Sequence, residues 1–116
     1  NNLAVALLNL GKVQAATHHY NKAIELSPNY SEAHNNLGNL LLEQNKPDEA
    51  MSSFIKALEI RPDHAEAHNN LGVALARQGK LEEAIDRFGK ALRLKPDYEE
   101  ARNNLEFAQM SIAQTR

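Results

Sequence analysis

The 116-residue chain contains no cysteine, which excludes disulfides and thiolate metal sites. It also lacks a charge excess of either sign: 13 Lys and Arg stand against 15 Asp and Glu, a net charge of −2. A nucleic-acid-binding surface collects basic residues on one face, and this balance argues against one. No stretch approaches the ~18 apolar residues of a membrane span, and no signal-peptide pattern opens the chain, so membrane contact is not expected and a cytoplasmic location is. The glycine-rich phosphate loop, the nucleophile elbow and the zinc-protease helix motif are missing. Five histidines remain as candidate ligands. His18 and His19 are adjacent on a helix and point apart, His64 falls in a turn, and His34 and His68 recur at equivalent packing positions, so a structural role outweighs metal binding. The paired carboxylates Asp48/Glu49, Glu82/Glu83 and Glu99/Glu100 each open a helix, where the helix dipole accounts for them. No catalytic constellation, cofactor site or metal site follows, and the chain reads as non-enzymatic.

What is present is a period. Pro28, Pro62 and Pro96 are spaced by 34 residues, and the string His-Asn-Asn-Leu-Gly at 34–38 recurs at 68–72 with the same step. A degraded copy, Arg-Asn-Asn-Leu-Glu, lies at 102–106. Further columns keep the step: Ala16, Ala50, Ala84; Tyr20, Phe54, Phe88; Ala23, Ala57, Ala91; Leu26, Ile60, Leu94. A fixed period of this size marks a repeat architecture. The chain is long enough to bury roughly 65% of its unfolded surface in one core.

Within a unit the apolar spacing is helical. Over 65–78, Ala67, Leu71, Ala74 and Leu75 share one face, and Gly79 ends the helix in the left-handed conformation. Over 82–95, Ala84, Ile85, Phe88, Ala91 and Leu92 repeat the pattern, with acids at the start and bases at the end. Pro47 suits a first helical turn. Each proline of the 34-step series stops a second helix, and Asn29, Asp63 or Asp97, followed by Glu32, Glu66 or Glu100, reads as an N-cap with a capping-box partner. Each unit is thus expected to be a helix–turn–helix that cannot bury its own apolar face and must stack on its neighbours.

These residues resemble the tetratricopeptide repeat (TPR). Unit 65–98 supplies His68, Leu71, Gly72, Leu75, Gly79, Ala84, Phe88, Ala91 and Pro96; unit 31–64 supplies His34, Leu37, Gly38, Leu41, Ala50, Phe54, Ala57 and Pro62. Residues 1–30 form a unit cut at its front, with Leu3, Leu7, Gly11, Ala16, Tyr20, Ala23 and Pro28. Residues 99–116 resemble the lone capping helix of such arrays, with Glu99, Glu100, Arg102 and Glu106 in water. Departures are His34 and His68 for the usual Trp, Asn45 for the turn glycine, and Ala4 for the small Gly of the first helix. The resemblance implies an all-α, right-handed α-solenoid of stacked hairpins with a C-terminal capping helix. The uncapped first helix implies contact with more chain or with another copy, so a homo-oligomer is one expectation.

The resemblance also implies that first helices line a concave groove. Its candidate residues here are Asn1, Asn2, Asn35, Asn36, Asn39, Leu42, Asn69, Asn70, Val73, Arg77, Asn103, Asn104 and Phe107. An asparagine amide both donates and accepts, which suits a peptide backbone of any sequence. The column Asn2, Asn36, Asn70 and Asn104 is similar to the asparagine ladder of O-linked N-acetylglucosamine transferase repeats. The other reading of that column is a bond to the neighbouring repeat, whereas Asn35, Asn69 and Asn103 favour the groove. Glu32, Glu66 and Glu100 favour capping, and if they also face the groove its rim is acidic. The carboxylate clamp of chaperone-binding members needs cations at set groove positions, and those places hold Asn1, Val5, Asn36, Glu66 and Asn70, or Asn35, Asn39, Asn70, Glu100 and Asn104. The expected function is a scaffold binding a neutral or basic peptide or partner segment. The alternatives are the substrate-presenting repeats of a larger glycosyltransferase-like enzyme and a self-assembling module.

Overall fold

A computed structural model of the protein describes the backbone of residues 2–115 and the side chains of residues 10–114. Among the described residues there are six helices and no strand: α1 (Asn2–Leu26), α2 (Ser31–Glu43), α3 (Pro47–Ile60), α4 (Ala65–Arg77), α5 (Leu81–Leu94) and α6 (Glu99–Thr115). The chain is a helical-repeat solenoid in which α2/α3 and α4/α5 are antiparallel hairpins and α6 packs on the second. Its radius of gyration, 15.3 Å, exceeds the ~13 Å of a compact domain of this length, and its extents of 41 × 38 × 24 Å describe a flattened array.

The two intra-hairpin turns share one mechanism. Asn45 at φ 60° and Gly79 at φ 81° take the left-handed conformation just past α2 and α4. That conformation folds the chain back, so the Lys46 amide donates to Leu41 O (2.9 Å) and the Lys80 amide to Leu75 O (2.9 Å). Asparagine substitutes for glycine here because its short polar side chain tolerates the left-handed region.

The links between units differ from expectation. Asn29, Asp63 and Asp97 do not cap helices. Each follows proline inside a β-turn closed by Tyr30 N→Ser27 O, His64 N→Arg61 O or Tyr98 N→Lys95 O, at 3.0 to 3.1 Å. The N-cap positions of α2 and α4 fall one residue later, on Tyr30 and His64, with no side-chain cap. Proline fixes the first central dihedral of the turn, so the Asn or Asp after it is committed to the second and its side chain leaves the helix start.

The packing centre of each hairpin is a phenylalanine against a glycine. Phe54 and Phe88 are fully buried, flanked by Ala50, Ala57, Ala84 and Ala91 at zero exposure. A Cβ placed on Gly72 would stand 2.5 Å from the Phe88 ring, and Gly38 meets Phe54 in the same way. Only hydrogen lets the two helix backbones approach this closely.

The first unit does not form the expected hairpin: α1 runs unbroken through Gly11, which occupies the turn position of Asn45 and Gly79. The sequence supplies a reason. Ala4 stands where Gly38 and Gly72 stand, and Tyr20 stands where the phenylalanines stand. Closing this hairpin in the same geometry would drive a methyl group into the ring, whereas continuing the helix keeps its backbone hydrogen bonds.

Gly72→Ala is expected to cost about 1–3 kcal/mol through overpacking against Phe88. Gly89→Ala, also within a helix but with no side-chain atom nearer than 3.7 Å to the new methyl, is expected to gain about 0.5–1 kcal/mol. Urea unfolding of the two variants measures both, and equal signs would contradict the account.

Candidate functional site

Three columns of side chains tie the units together and thereby shape the concave side. The first is the position the family fills with tryptophan. His34 Nε2 lies 3.0 Å from Pro28 O, His68 Nε2 lies 2.9 Å from Pro62 O, and Arg102 Nη2 donates to Pro96 O at 2.6 Å. A carbonyl only accepts, so each imidazole carries its hydrogen on Nε2. His68 Nδ1 is then the acceptor for Arg87 Nη1 at 3.4 Å. These residues pin each first helix to the proline turn before it. No cluster of three or more potential ligands occurs among the described residues.

The second column is the asparagine ladder. Asn70 Nδ2 donates to Asn35 Oδ1, and Asn104 Nδ2 donates to Asn69 Oδ1, both at 3.0 Å. One asparagine of each unit thus clasps the adjacent asparagine of the unit before. This changes the assignment of the pair. Asn69, expected to face the groove, is wholly buried, and Asn35 is buried to 5% exposure with its Oδ1 occupied. Asn70, in the column similar to the transferase ladder, is half-buried with its Nδ2 turned to the neighbouring unit. The physical reason is that a 34-residue step brings the two columns side by side across the helix–helix contact, where an unpaired amide costs about 1–3 kcal/mol. Among the described residues Asn69 Nδ2 finds no hydrogen-bond partner.

The third column is Tyr30, His64 and Tyr98, the residue before each first helix. Ser31 Oγ donates its single hydrogen to Ala57 O (2.8 Å) and lies 2.8 Å from His64 Nδ1. His64 Nδ1 must therefore be the donor to Ser31, which leaves Nε2 facing the Glu66 carboxylate at 3.7 Å. Glu66 also pairs with Lys95 at 3.6 Å, and Lys95 covers the Tyr98 ring at 4.9 Å.

Between these columns lies a concave groove of about 730 Å³, lined by Glu32, Asn35, Asn36, Asn39, Leu42, Glu43, Arg61, His64, Glu66, Asn70, Val73, Arg77, Tyr98 and Glu100. It brings together seven of the candidate residues, from Asn35 to Arg77. Leu42 forms floor, being buried to 6% exposure. Arg77 reaches back one unit to donate to Leu42 O at 2.7 Å, neutralising the carbonyl end of α2. Asn103 and Phe107 are exposed on α6, beyond this lining; Asn104 is half-buried in its clasp. Asn1 and the side chain of Asn2 lie outside the described residues. Glu32, Glu66 and Glu100 line the groove rather than cap helices. Arg61, His64 and Tyr98 were absent from the candidate set, although the 34-residue step from Tyr30 through His64 to Tyr98 marks that column in the sequence.

Burial sets the protonation of this wall. Desolvation, then the charge of Arg61, holds His64 below its ordinary pKa of 6.5 despite Glu66, Glu32 and Asp63. Desolvation also lowers His68; its bond to Pro62 opposes this, while Arg87 and Lys90 reinforce it. Tyr98 is pushed up to about 12 by burial and then by Glu100 and Glu66; the nearby Asn69 amide, short of hydrogen-bonding geometry, offsets this only in part.

The repeated hairpins, their glycine–aromatic contacts and the concave groove define a helical-repeat protein. A model described as Tetratricopeptide repeat matches residues 29–97, and one described as TPR repeat matches residues 4–45. The chain belongs to the tetratricopeptide repeat family. A search of curated protein sequences gives no match. Among solved structures, the first TPR of Spaghetti (RPAP3) bound to the HSP90 peptide SRMEEVD is similar in fold, with a TM-score of 0.85 and 24% identity over 97% of this chain and 89% of that one. MamA matches with a TM-score of 0.81 and 27% identity over 90% of this chain and 61% of its own. A mutant of the Thermobaculum terrenum O-GlcNAc transferase matches with a TM-score of 0.81 and 33% identity over 84% of this chain but only 19% of its own. This chain therefore spans less than two thirds of the latter two.

The depressed histidines predict a pH dependence with a definite sign. Just below pH 6.5 the unfolded chain binds protons that folded His64 and His68 refuse, so stability is full above about 6.5 and falls as the pH drops through it. Tyr98 acts at the other end, losing stability as the pH rises above its unfolded value of 10.0. Melting temperatures at pH 5, 7.5 and 11 are expected to peak at the middle value, and His64→Gln with His68→Gln should flatten the acid side only.

Proposed function

We propose that the chain is a non-catalytic interaction module built from units 31–64 and 65–98, flanked by the front-cut unit 1–30 and the cap 99–116. It holds an extended neutral or basic peptide in its concave groove. The observation that carries this reading is the lining itself: amides of Asn36, Asn39 and Asn70 set among four carboxylates, Glu32, Glu43, Glu66 and Glu100. The two lining guanidiniums are already engaged, Arg61 with Asp63 at 3.4 Å and Arg77 with Leu42 O; Glu66 is shared with Lys95 at 3.6 Å, so Glu32, Glu43 and Glu100 carry most of the acidic character. A peptide such as the acidic SRMEEVD bound by the Spaghetti domain would meet like charge here. The histidines of the tryptophan column spend their Nε2 hydrogens on proline carbonyls, which supports a structural rather than chemical role for them.

Asn36→Ala with Asn39→Ala is expected to weaken peptide capture by about tenfold or more while leaving helicity and melting temperature unchanged, since each lost charge-free bond inside a desolvated site is worth about 1 kcal/mol. Asn70→Ala is expected to act differently, lowering stability by about 1–2 kcal/mol because it orphans Asn35. Selections from a random-peptide display library on the three proteins, with parallel thermal melts, test both. Equal enrichment on the double variant and the parent would defeat the groove reading.

A second reading is that these units present substrate within a longer enzyme. The match to a transferase of which they cover 19% favours it, and the sequence of the complete gene decides it.

A further inference from the structure

An α-helix turns about 100° per residue, so positions five, nine and twelve of each first helix fall within one stripe about 60° wide. In α2 that stripe is Asn35, Asn39 and Leu42; in α4 it is Asn69, Val73 and Ala76; in α6 it is Asn103, Phe107 and Met110. The later two places change along the array from amide and buried leucine, through half-buried Val73 and Ala76, to two large apolar side chains. Phe107 is 73% exposed and Met110 is 61% exposed.

The fold does not call for them. On α6 the places of Gly72 and Leu75 are taken by exposed Glu106 and Gln109, so that face of the helix is polar. The same helix keeps phenylalanine and methionine on the stripe that continues the groove, where a polar pair would serve a cap equally well. Adjacent large apolar side chains left in solvent mark a contact surface, and methionine beside an aromatic adapts to varied apolar partners.

We propose that Phe107 and Met110 form an apolar anchor site at the α6 end of the groove. Its occupant is one bulky apolar side chain of the same peptide whose basic residues lie along Glu32, Glu66 and Glu100. The inference rests on the groove reading above and adds its composition and direction: basic along most of its length, apolar at the end over α6. Charge complementarity fixes the first part, because the three carboxylates recur at one 34-residue step along the groove. The exposed pair, one step beyond Val73, fixes the second.

The test uses fluorescence anisotropy with three synthetic ten-residue probes of lysine and serine: one ending in leucine, one beginning with it, and one without leucine. The parent is expected to bind one of the leucine probes roughly tenfold tighter than the leucine-free probe. Phe107→Ser with Met110→Ser should erase that preference yet retain salt-sensitive lysine binding, and Glu32→Gln with Glu100→Gln should do the reverse. Circular dichroism confirms folding, and Phe107→Gln alone repeats the first arm with a smaller change. Lysine binding with no leucine preference in the parent, or a preference that survives the α6 variants, overturns the anchor and leaves the groove reading standing. Absence of binding by every probe overturns both. A parent that sediments as a dimer through the Phe107 face, and a monomer in the α6 variant, overturns the anchor in favour of a second copy.

Discussion

Everything in this array hangs on how closely two helices of a hairpin approach, and a single hydrogen atom sets that distance. The aromatic ring of each second helix packs directly against a first-helix glycine, with Phe54 on Gly38 and Phe88 on Gly72. The alanines around each ring are at zero exposure because the backbones are too near for anything larger. Unit one carries Ala4 at the place of that glycine, and there α1 stays a continuous helix.

Once hairpins form, their stacking buries one apolar cluster that runs from Leu42 through Phe54, Leu71 and Phe88 to Ala108, and polar side chains add bonds across each boundary. Histidine or arginine clamps each proline turn, and asparagine clasps asparagine across each unit boundary. Such bonds are directional, so they fix the offset between successive units more tightly than the apolar contacts could. The cost is that residues suited to a ligand are partly consumed by the scaffold. Asn69 disappears into the interface, and Arg77, the one cation on the groove side of α4, is turned to a carbonyl of α2. What remains open in the groove is predominantly acidic and amide in character.

The electrostatics of that wall follow from the same burial. His64 stands over the groove with its hydrogen directed inward to Ser31 and its lone pair directed toward Glu66. Desolvation keeps it neutral at a pH where a free imidazole begins to charge, so the groove stays net negative through neutrality. Tyr98 is held as the phenol for the same reason.

By itself the sequence determined the period, the columns that keep its step, the turn glycine and its asparagine substitute, and the all-helical class, because each is a local requirement repeated every 34 residues. Much of the groove was legible too, from Asn36 and Asn39 to Val73 and Arg77. Tertiary structure alone decided that the first of two adjacent asparagines is buried at the unit boundary while the second stays half-exposed beside the groove. Both lie on the concave half of the helix, and only the offset between units, set by the clasped amides and proline turns, separates them. It also decided that Asp63 belongs to a turn and Glu66 to the groove, since a capping pattern and a proline β-turn share the same residues. The fate of α1 was decided the same way. Gly11 permits a turn, but a turn forms only where the helices beyond it can meet, and that depends on contacts far away in sequence.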